Sequence, residues 1–327
     1  MEHETYIRYL SRADIEKLFL SGNELAVSIA RTLSAEAKGQ AQNFPKTSKI
    51  FSDGRLFQSL MAVGLEAPAP LFAATKIIGL SPGNPARGLP IIGGLIVLTS
   101  GETGMPIAIM DATWITEMRT AALSLVVAKR FARADSRKIA FIGCGAQARA
   151  HLRVFAEAFP LSRVTALSRS RSSAEALASK AQQIGLQAEV ADDPRHAVVG
   201  ADIVITSVPD GPDLKPFLRA EWLSPGAFAS LVDLGRCWQP DGFESIEHRL
   251  VDDRAQVEAS RGYRKLTPDG PYTADLRELM ANPGLRRRAE NERAVFTFQG
   301  VAVADLAVGA LVFEAAQKAG IGVLLPR

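Results

Sequence analysis

The sequence predicts an α/β protein in which a doubly wound parallel sheet is joined to a second, α+β domain. Three observations carry that prediction. The chain has 327 residues, whereas one domain typically takes roughly 100–200. Its second half alternates short apolar runs with helical stretches, the rhythm of β-α-β units. Its first half strings short apolar runs between Gly, Pro and Asn turns, which reads as consecutive strands of an antiparallel or mixed sheet.

The elements follow in order. Residues 13–38 predict one helix, with Ile15, Leu18, Phe19, Leu25, Ile29 and Leu33 on one stripe at a period of about 3.6 residues. The runs Lys49–Phe51, Leu56–Val63, Leu71–Ile78, Pro90–Leu98 and Met105–Met110 predict strands. Asp111 or Thr113 then caps a long helix that carries Glu117 in its first turn and runs to about Arg133. Lys138–Ile142 predicts a strand, followed by a glycine-rich turn and a helix to about Phe159. Strands at Val164–Leu167, Val190, Ile203–Ser207 and Ala227–Val232 alternate with helices at Ser172–Ile184 and Asp192–Val199. The tail from Asn291 to Gly320, rich in Ala and Val, predicts a helix. The hinge is expected near Ala134–Ser136, with the last helix returning to the first domain. That divides the chain into 1–133 with 300–327, and 134–299.

Composition narrows the class. Hydrophobic residues make up 47% and charged residues 22%, average globular usage that excludes disordered, collagen-like and coiled-coil chains. The net charge of +3 is too small to argue for a nucleic-acid partner. No apolar run reaches the roughly 18 residues of a membrane span; Leu89–Leu98 is broken by Gly93 and Gly94. The N-terminus carries alternating charge and no signal-peptide core. Cys144 and Cys237 make no disulfide framework, and with His3, His151, His196 and His248 scattered, no metal site is expected. The expectation is a cytoplasmic protein with neither nucleic-acid nor membrane partners.

The segment Lys138-Ile-Ala-Phe-Ile-Gly143-Cys-Gly145-Ala-Gln-Ala148 reads G-x-G-x-x-A after a strand and at the opening of a helix. Gly143 permits a tight turn, Gly145 lets a pyrophosphate approach the backbone, and Ala148 permits close helix packing. The helix N-terminus attracts the phosphate. Strand, helix and the β-α repeats behind them agree on a Rossmann-type dinucleotide site; the bland alternative is a glycine turn with packing value only. NAD enzymes place an acidic residue about 20 positions after this loop. Here that stretch is Ala166-Leu-Ser168-Arg169-Ser170-Arg171, without a carboxylate. An arginine fork with flanking hydroxyls suits a 2′-phosphate, so NADP(H) is the expected cofactor, with NAD(H) still open. Two solvated arginines at a helix start are the alternative.

Two cations stand in apolar company. Lys76 sits in Leu-Phe-Ala-Ala-Thr-Lys76-Ile-Ile. Lysine in such a strand either lies at an edge and snorkels to water, or lines a cleft, binding a carboxylate or donating a proton. Arg119 shares a helix stripe with Ile115, Ala122 and Val126. Its fork fits a carboxylate, which belongs either to a ligand or to a structural Asp partner.

These phrases form an ordered set: Lys76, Asn84, Gly88-Leu89-Pro90, Thr116-Glu-Met-Arg119-Thr120-Ala121-Ala122 and Ile142-Gly143-Cys-Gly145-Ala-Gln147, then Ala274–Leu279 and Gly300–Leu306. Over almost the whole chain the set resembles the ornithine cyclodeaminase/mu-crystallin family. The resemblance implies a Rossmann domain plus a substrate-binding and dimerisation domain, a homodimer, and hydride transfer at the α-carbon of an amino or imino acid. It implies that Lys76 and Arg119 contact the substrate carboxylate, with Lys46 where the family has a further arginine. It implies dinucleotide contacts at Thr120, Gly143, Gly145, Ala146, Gln147, Ser168, Arg169, Ser170, Arg171, Thr206, Ser207 and Val208.

This chain also departs from the family. Phe57–Ala62 lacks the cyclodeaminase glutamate, and the usual glycine-serine-aspartate is replaced by Leu231-Val-Asp233-Leu-Gly-Arg236, leaving Asp233 as the expected catalytic carboxylate. The implied function is an NAD(P)H-dependent oxidoreductase of the C=N or C–N bond, a ketimine or pyrroline-2-carboxylate reductase or an amino-acid dehydrogenase. The alternatives are a cyclodeaminase that recycles its NAD and a mu-crystallin-like protein that binds a small ligand and NADPH. Loops 209–216 and 261–273 are expected to set side-chain specificity.

Overall fold

A computed structural model describes residues 6–211, 213–262 and 264–327. His3 and one position in each expected specificity loop, 212 and 263, lie outside the described residues. The chain divides into two units, Met1–Arg119 with Val301–Arg327, and Thr120–Gly300.

The first unit begins with β1 (Tyr6–Leu10), α1 (Arg12–Glu16) and α2 (Gly22–Ala37). The single helix expected over 13–38 is therefore two. Phe19 adopts a left-handed backbone with φ +51°, and Ser21 opens the second helix through a capping box with Glu24. That Ser-x-x-Glu signal lies inside the periodic apolar run, which hid it. Next come β2 (Ala41–Asn43), β3 (Thr47–Ile50), β4 (Leu56–Gly64), β5 (Phe72–Leu80), β6 (Ile92–Ser100) and β7 (Pro106–Asp111). β4 to β7 form an antiparallel meander in which Leu60, Lys76, Ile96 and Met110 stand side by side. β5 has a neighbour on each flank, so the edge position considered for Lys76 does not occur. Asp111 then caps α3 (Ala112–Phe131) by accepting the backbone N–H of Thr113 at 2.9 Å and of Trp114 at 3.1 Å.

The second unit contains β8 (Lys138–Ile142), α4 (Ala146–Ala158), β9 (Arg163–Leu167), α5 (Arg171–Gln183), β10 (Gln187–Val190), α6 (Pro194–Val198), β11 (Ile203–Thr206), β12 (Phe228–Leu231), β13 (His248–Val251), α7 (Arg254–Ser260), α8 (Leu276–Ala281) and β14 (Ala294–Thr297). Its seven strands run in the order β10-β9-β8-β11-β12-β14-β13, parallel throughout. The order changes direction between β8 and β11, the switch point where ligands enter such sheets. β14 corrects the helical tail expected from Asn291. Its four residues are buried on both faces, so they show no alternation and merge by hydropathy with the apolar helix that follows.

The boundary at Arg119/Thr120 lies inside α3, not at the hinge expected near 134–136. In the second unit the carboxyl half of α3 is tied by Ser124, whose hydroxyl lies 2.9 Å from His151 Nε2 on α4 and 2.9 Å from Ser230 Oγ on β12. An apolar period says that a helix is covered, not which sheet covers it.

Two elements return to the first unit, α9 (Ala302–Ala319) and β15 (Val323–Pro326). β15 pairs with β1, and β1 lies parallel to β7, giving the sheet order β15-β1-β7-β6-β5-β4-β2, with β3 also on β4. Asn43 caps α9 by accepting the N–H of Ala302 at 2.7 Å. α9 packs against α2, β4 and β5, and Ser28 on α2 donates to Ala307 O at 3.0 Å. The opposite sheet face leaves Phe57, Met61, Ile77 and Leu95 exposed. Among the described residues no helix is long and apolar enough to cross a membrane.

Candidate active site

In the first unit three charged side chains meet away from water. Lys76 projects from the middle of β5 and is 1% exposed. Its Nζ donates to Asp305 Oδ1 at 2.7 Å and to Thr116 Oγ1 at 3.4 Å. Asp305, also 1% exposed, comes from the first turn of α9, where the helix dipole favours an anion. Arg119 follows Thr116 by one turn of α3, and its Nε lies 3.1 Å from the same Oδ1. That contact is an ion pair without the direction of a hydrogen bond. Arg119 Nε and Nη1 and Asp305 Oδ2 have no hydrogen-bond partner among the described residues. Burial and the charge of Arg119 push Lys76 down to about 8, against the pull of Asp305.

Two buried cations thus share one carboxylate. Buried charge without its counter-charge is costly, and an arginine fork with an idle N–H is shaped for a second carboxylate. The Asp partner considered for Arg119 exists, yet it does not saturate the guanidinium. Asp305 is not among the residues expected at the site. Its signal is the one that marks Lys76 and Arg119: a lone charge among Val303, Ala304, Leu306 and Ala307. Lys46 lies half-buried between β2 and β3, and Gln58 faces inward from β4 and donates to Ser48 Oγ at 2.7 Å.

The second unit holds the nucleotide loop. Gly143 has φ +86°, and a Cβ there would stand 2.6 Å from Ser207 O. Ser207 in turn donates its N–H to Ile142 O at 2.8 Å and its hydroxyl to Gly143 O at 3.0 Å, lacing the ends of β8 and β11. Gly145 is exposed at the N-cap of α4, with no atom within 4 Å of where a Cβ would sit. Ala146 and Gln147 open the helix, and Gln147 Oε1 is buried without a partner. An open glycine backbone at a helix N-terminus fits a dinucleotide pyrophosphate.

The arginine–serine stretch divides. Arg171 is held by Glu175 at 3.0 Å and Asp192 at 2.7 Å. Ser170 caps α5, with its hydroxyl 2.9 Å from Ser172 Oγ. Arg169, beside Ser168, is exposed and forms no ion pair among the described residues. Thr120 is buried on α3.

Asp233, the expected catalytic carboxylate, lies buried beyond the ends of β11 and β12. Its Oδ1 accepts from Thr206 Oγ1 at 2.9 Å and Gly235 N at 3.1 Å, and its Oδ2 from Val208 N at 3.0 Å and Cys237 Sγ at 3.3 Å. Burial raises it above the ordinary carboxylate range, against those donors. With four donors on two oxygens it braces the ends of β11 and β12.

The chain matches the ornithine cyclodeaminase/mu-crystallin family over residues 8–320. It belongs to that family. An alanine dehydrogenase of Archaeoglobus fulgidus is 30% identical over 323 residues, 96% of each chain. A solved archaeal alanine dehydrogenase dimer with bound NAD is 29% identical, with a TM-score of 0.83 over 98% of this chain and 99% of that one. The Thermococcus litoralis Δ1-pyrroline-2-carboxylate reductase in complex with NADH and L-proline is 26% identical, with a TM-score of 0.86 over 97% of this chain and 99% of that one.

Proposed function

We propose that this family member is an NAD(P)H-dependent oxidoreductase that reduces the C=N bond of an α-imino acid, or oxidises the matching amine. The observation that carries the reading is the cation excess at Lys76, Arg119 and Asp305. It is a buried site short of one anion, and an α-carboxylate supplies it. The names of the family relatives, an alanine dehydrogenase and a pyrroline-2-carboxylate reductase, support the same chemistry. A bound dinucleotide supplies or accepts the hydride. The chain's own part is to fix the carboxylate, so that positioning and charge stabilisation provide much of the rate. The inward residues of β4, Gln58, Leu60 and Ala62, include no carboxylate, so that strand offers no counter-charge to the second amine a cyclodeaminase must hold.

The preferred cofactor under this reading is NADP(H), with Arg169, Ser168 and Ser170 receiving the 2′-phosphate. The active form is a homodimer built on the apolar sheet face. Its two free, buried cysteines suit a reducing, cytoplasmic setting. The test is stoichiometric: NADPH oxidation is followed across a panel of cyclic imino acids and α-keto acid/amine pairs. Equimolar loss of NADPH and imine is expected. Ammonia release from ornithine or lysine without net cofactor change would replace the reading with cyclodeamination. Ligand binding with no turnover would leave a binding protein.

A further inference from the structure

We propose that Asp305 is a positioning residue that divides the work of the two cations, holding Lys76 as proton donor to the imine nitrogen and leaving the Arg119 fork to the substrate carboxylate. The inference rests on the reductase reading above. Asp305 makes a directed bond only to Lys76, at 2.7 Å; toward Arg119 it makes a contact without direction. An ammonium has three hydrogens. Asp305 and Thr116 take two, and the third has no acceptor among the described residues. Arg119 keeps Nη1 unpartnered, and a planar fork grips a carboxylate where an ammonium acts only as a point charge.

The surroundings leave Asp305 alone in this role. β4 and β6, which flank Lys76, contain no titratable residue. α3 contributes Arg119, while its Glu117 is paired with Arg12. α9 contributes Asp305, its Glu314 and Lys318 lying on exposed turns. Burial and the charge of Arg119 both favour the neutral Lys76 amine, and Asp305 opposes them. Beside Asp305 it stays near about 8, charged at neutral pH yet a ready donor. In the step, an Nζ–H bond of Lys76 breaks as an N–H bond forms at the imine nitrogen; the hydride that turns the imine into the amine would come from a reduced dinucleotide, which would be left oxidised. Neutral Lys76 recovers a proton from water.

The experiment compares wild type, Asp305→Asn, Asp305→Glu and Arg119→Lys as full chains, with NADPH and Δ1-pyrroline-2-carboxylate as the probe pair. Two readouts are taken: the pH profile of turnover, and the ζ-15N NMR titration of Lys76 in the free protein. Wild type should lose kcat/KM above about 8, since that ratio reports groups of the free enzyme. Removing the anion in Asp305→Asn should move that limb and the Lys76 titration toward acid by about one unit or more. It should also lower kcat about tenfold with little change in KM, and Asp305→Glu should restore most of the limb. Arg119→Lys should do the converse, raising KM with the limb in place. A folded, NADPH-binding Asp305→Asn whose limb stays put overturns the proposal, as does one that loses KM rather than kcat. If Asp305→Asn does not fold, the wild-type titration decides: a Lys76 that stays charged through the kcat/KM limb overturns it, and one that titrates with that limb supports it. Absence of NADPH oxidation on every imino acid would sink the reductase reading, whereas the nitrogen titration still reads the coupling of Asp305 to Lys76.

Discussion

His151 is sealed inside the second unit, with Nδ1 2.8 Å from Gln147 O and Nε2 2.9 Å from Ser124 Oγ. A carbonyl only accepts, so Nδ1 carries the hydrogen. Burial drops His151 to about 4 from an ordinary 6.5. Between those values the unfolded chain binds more protons than the folded one, so stability falls as pH falls through that window, by about 3 kcal/mol in all. Urea midpoints at pH 7 and at about pH 4.5 should therefore drop further in wild type than in His151→Gln; equal drops would refute the assignment. Arg169→Ala should cost NADPH about 1.5–3 kcal/mol of binding, a tenfold to hundredfold loss, and leave NADH unchanged. Fluorescence titration of both cofactors measures this, and equal affinities in wild type would end the NADP(H) preference. At this scale the buried charges were legible where a charge interrupts an apolar run, as at Lys76 and Arg119. The partners of Asp233 were not, because its four donors come from residues brought together only by the ends of β11 and β12.

The loop between β8 and α4 gives a paired test at the scale of the element. Gly143→Ala sets a Cβ 2.6 Å from Ser207 O at φ +86°, where an L-residue already costs about 1–2 kcal/mol. It should lower the melting temperature by several degrees and abolish tight dinucleotide binding. Gly145→Ala meets no atom within 4 Å, so it should melt like wild type and lose only nucleotide affinity. Calorimetry beside a binding titration separates the two. The β-α alternation of the second unit was readable because each strand was flanked by turns and an amphipathic helix. β13 was not, since it opens on His248 and Arg249 and so shows no apolar run, and β14 was not, since its buried residues merge by hydropathy with the apolar helix that follows. β1 and β15 were missed for a different reason: each pairs with a segment from the far end of the chain, a relation that no local window contains.

For the whole molecule, the exposed row Phe57, Met61, Ile77 and Leu95 spans three neighbouring strands, a contiguous apolar face of the kind that marks an interface. Light scattering should give twice the 35.1 kDa of one chain, and Leu95→Asp should shift the mass toward the monomer. A wild-type mass of 35.1 kDa at micromolar concentration would exclude the dimer. Two units were foreseeable from length and rhythm, and their boundary was not, because α3 is buried along nearly its whole length. The first unit closes only when Val301–Arg327 rejoins it. On the ribosome, domains fold as they emerge, so the Thr120–Gly300 unit can be complete while Lys76 and Arg119 still await Asp305. A nascent chain broken off before α9 therefore carries two cations in a half-built sheet with no counter-charge, and lacks the helix that covers β4 and β5. Such a fragment is expected to be prone to aggregation or proteolysis.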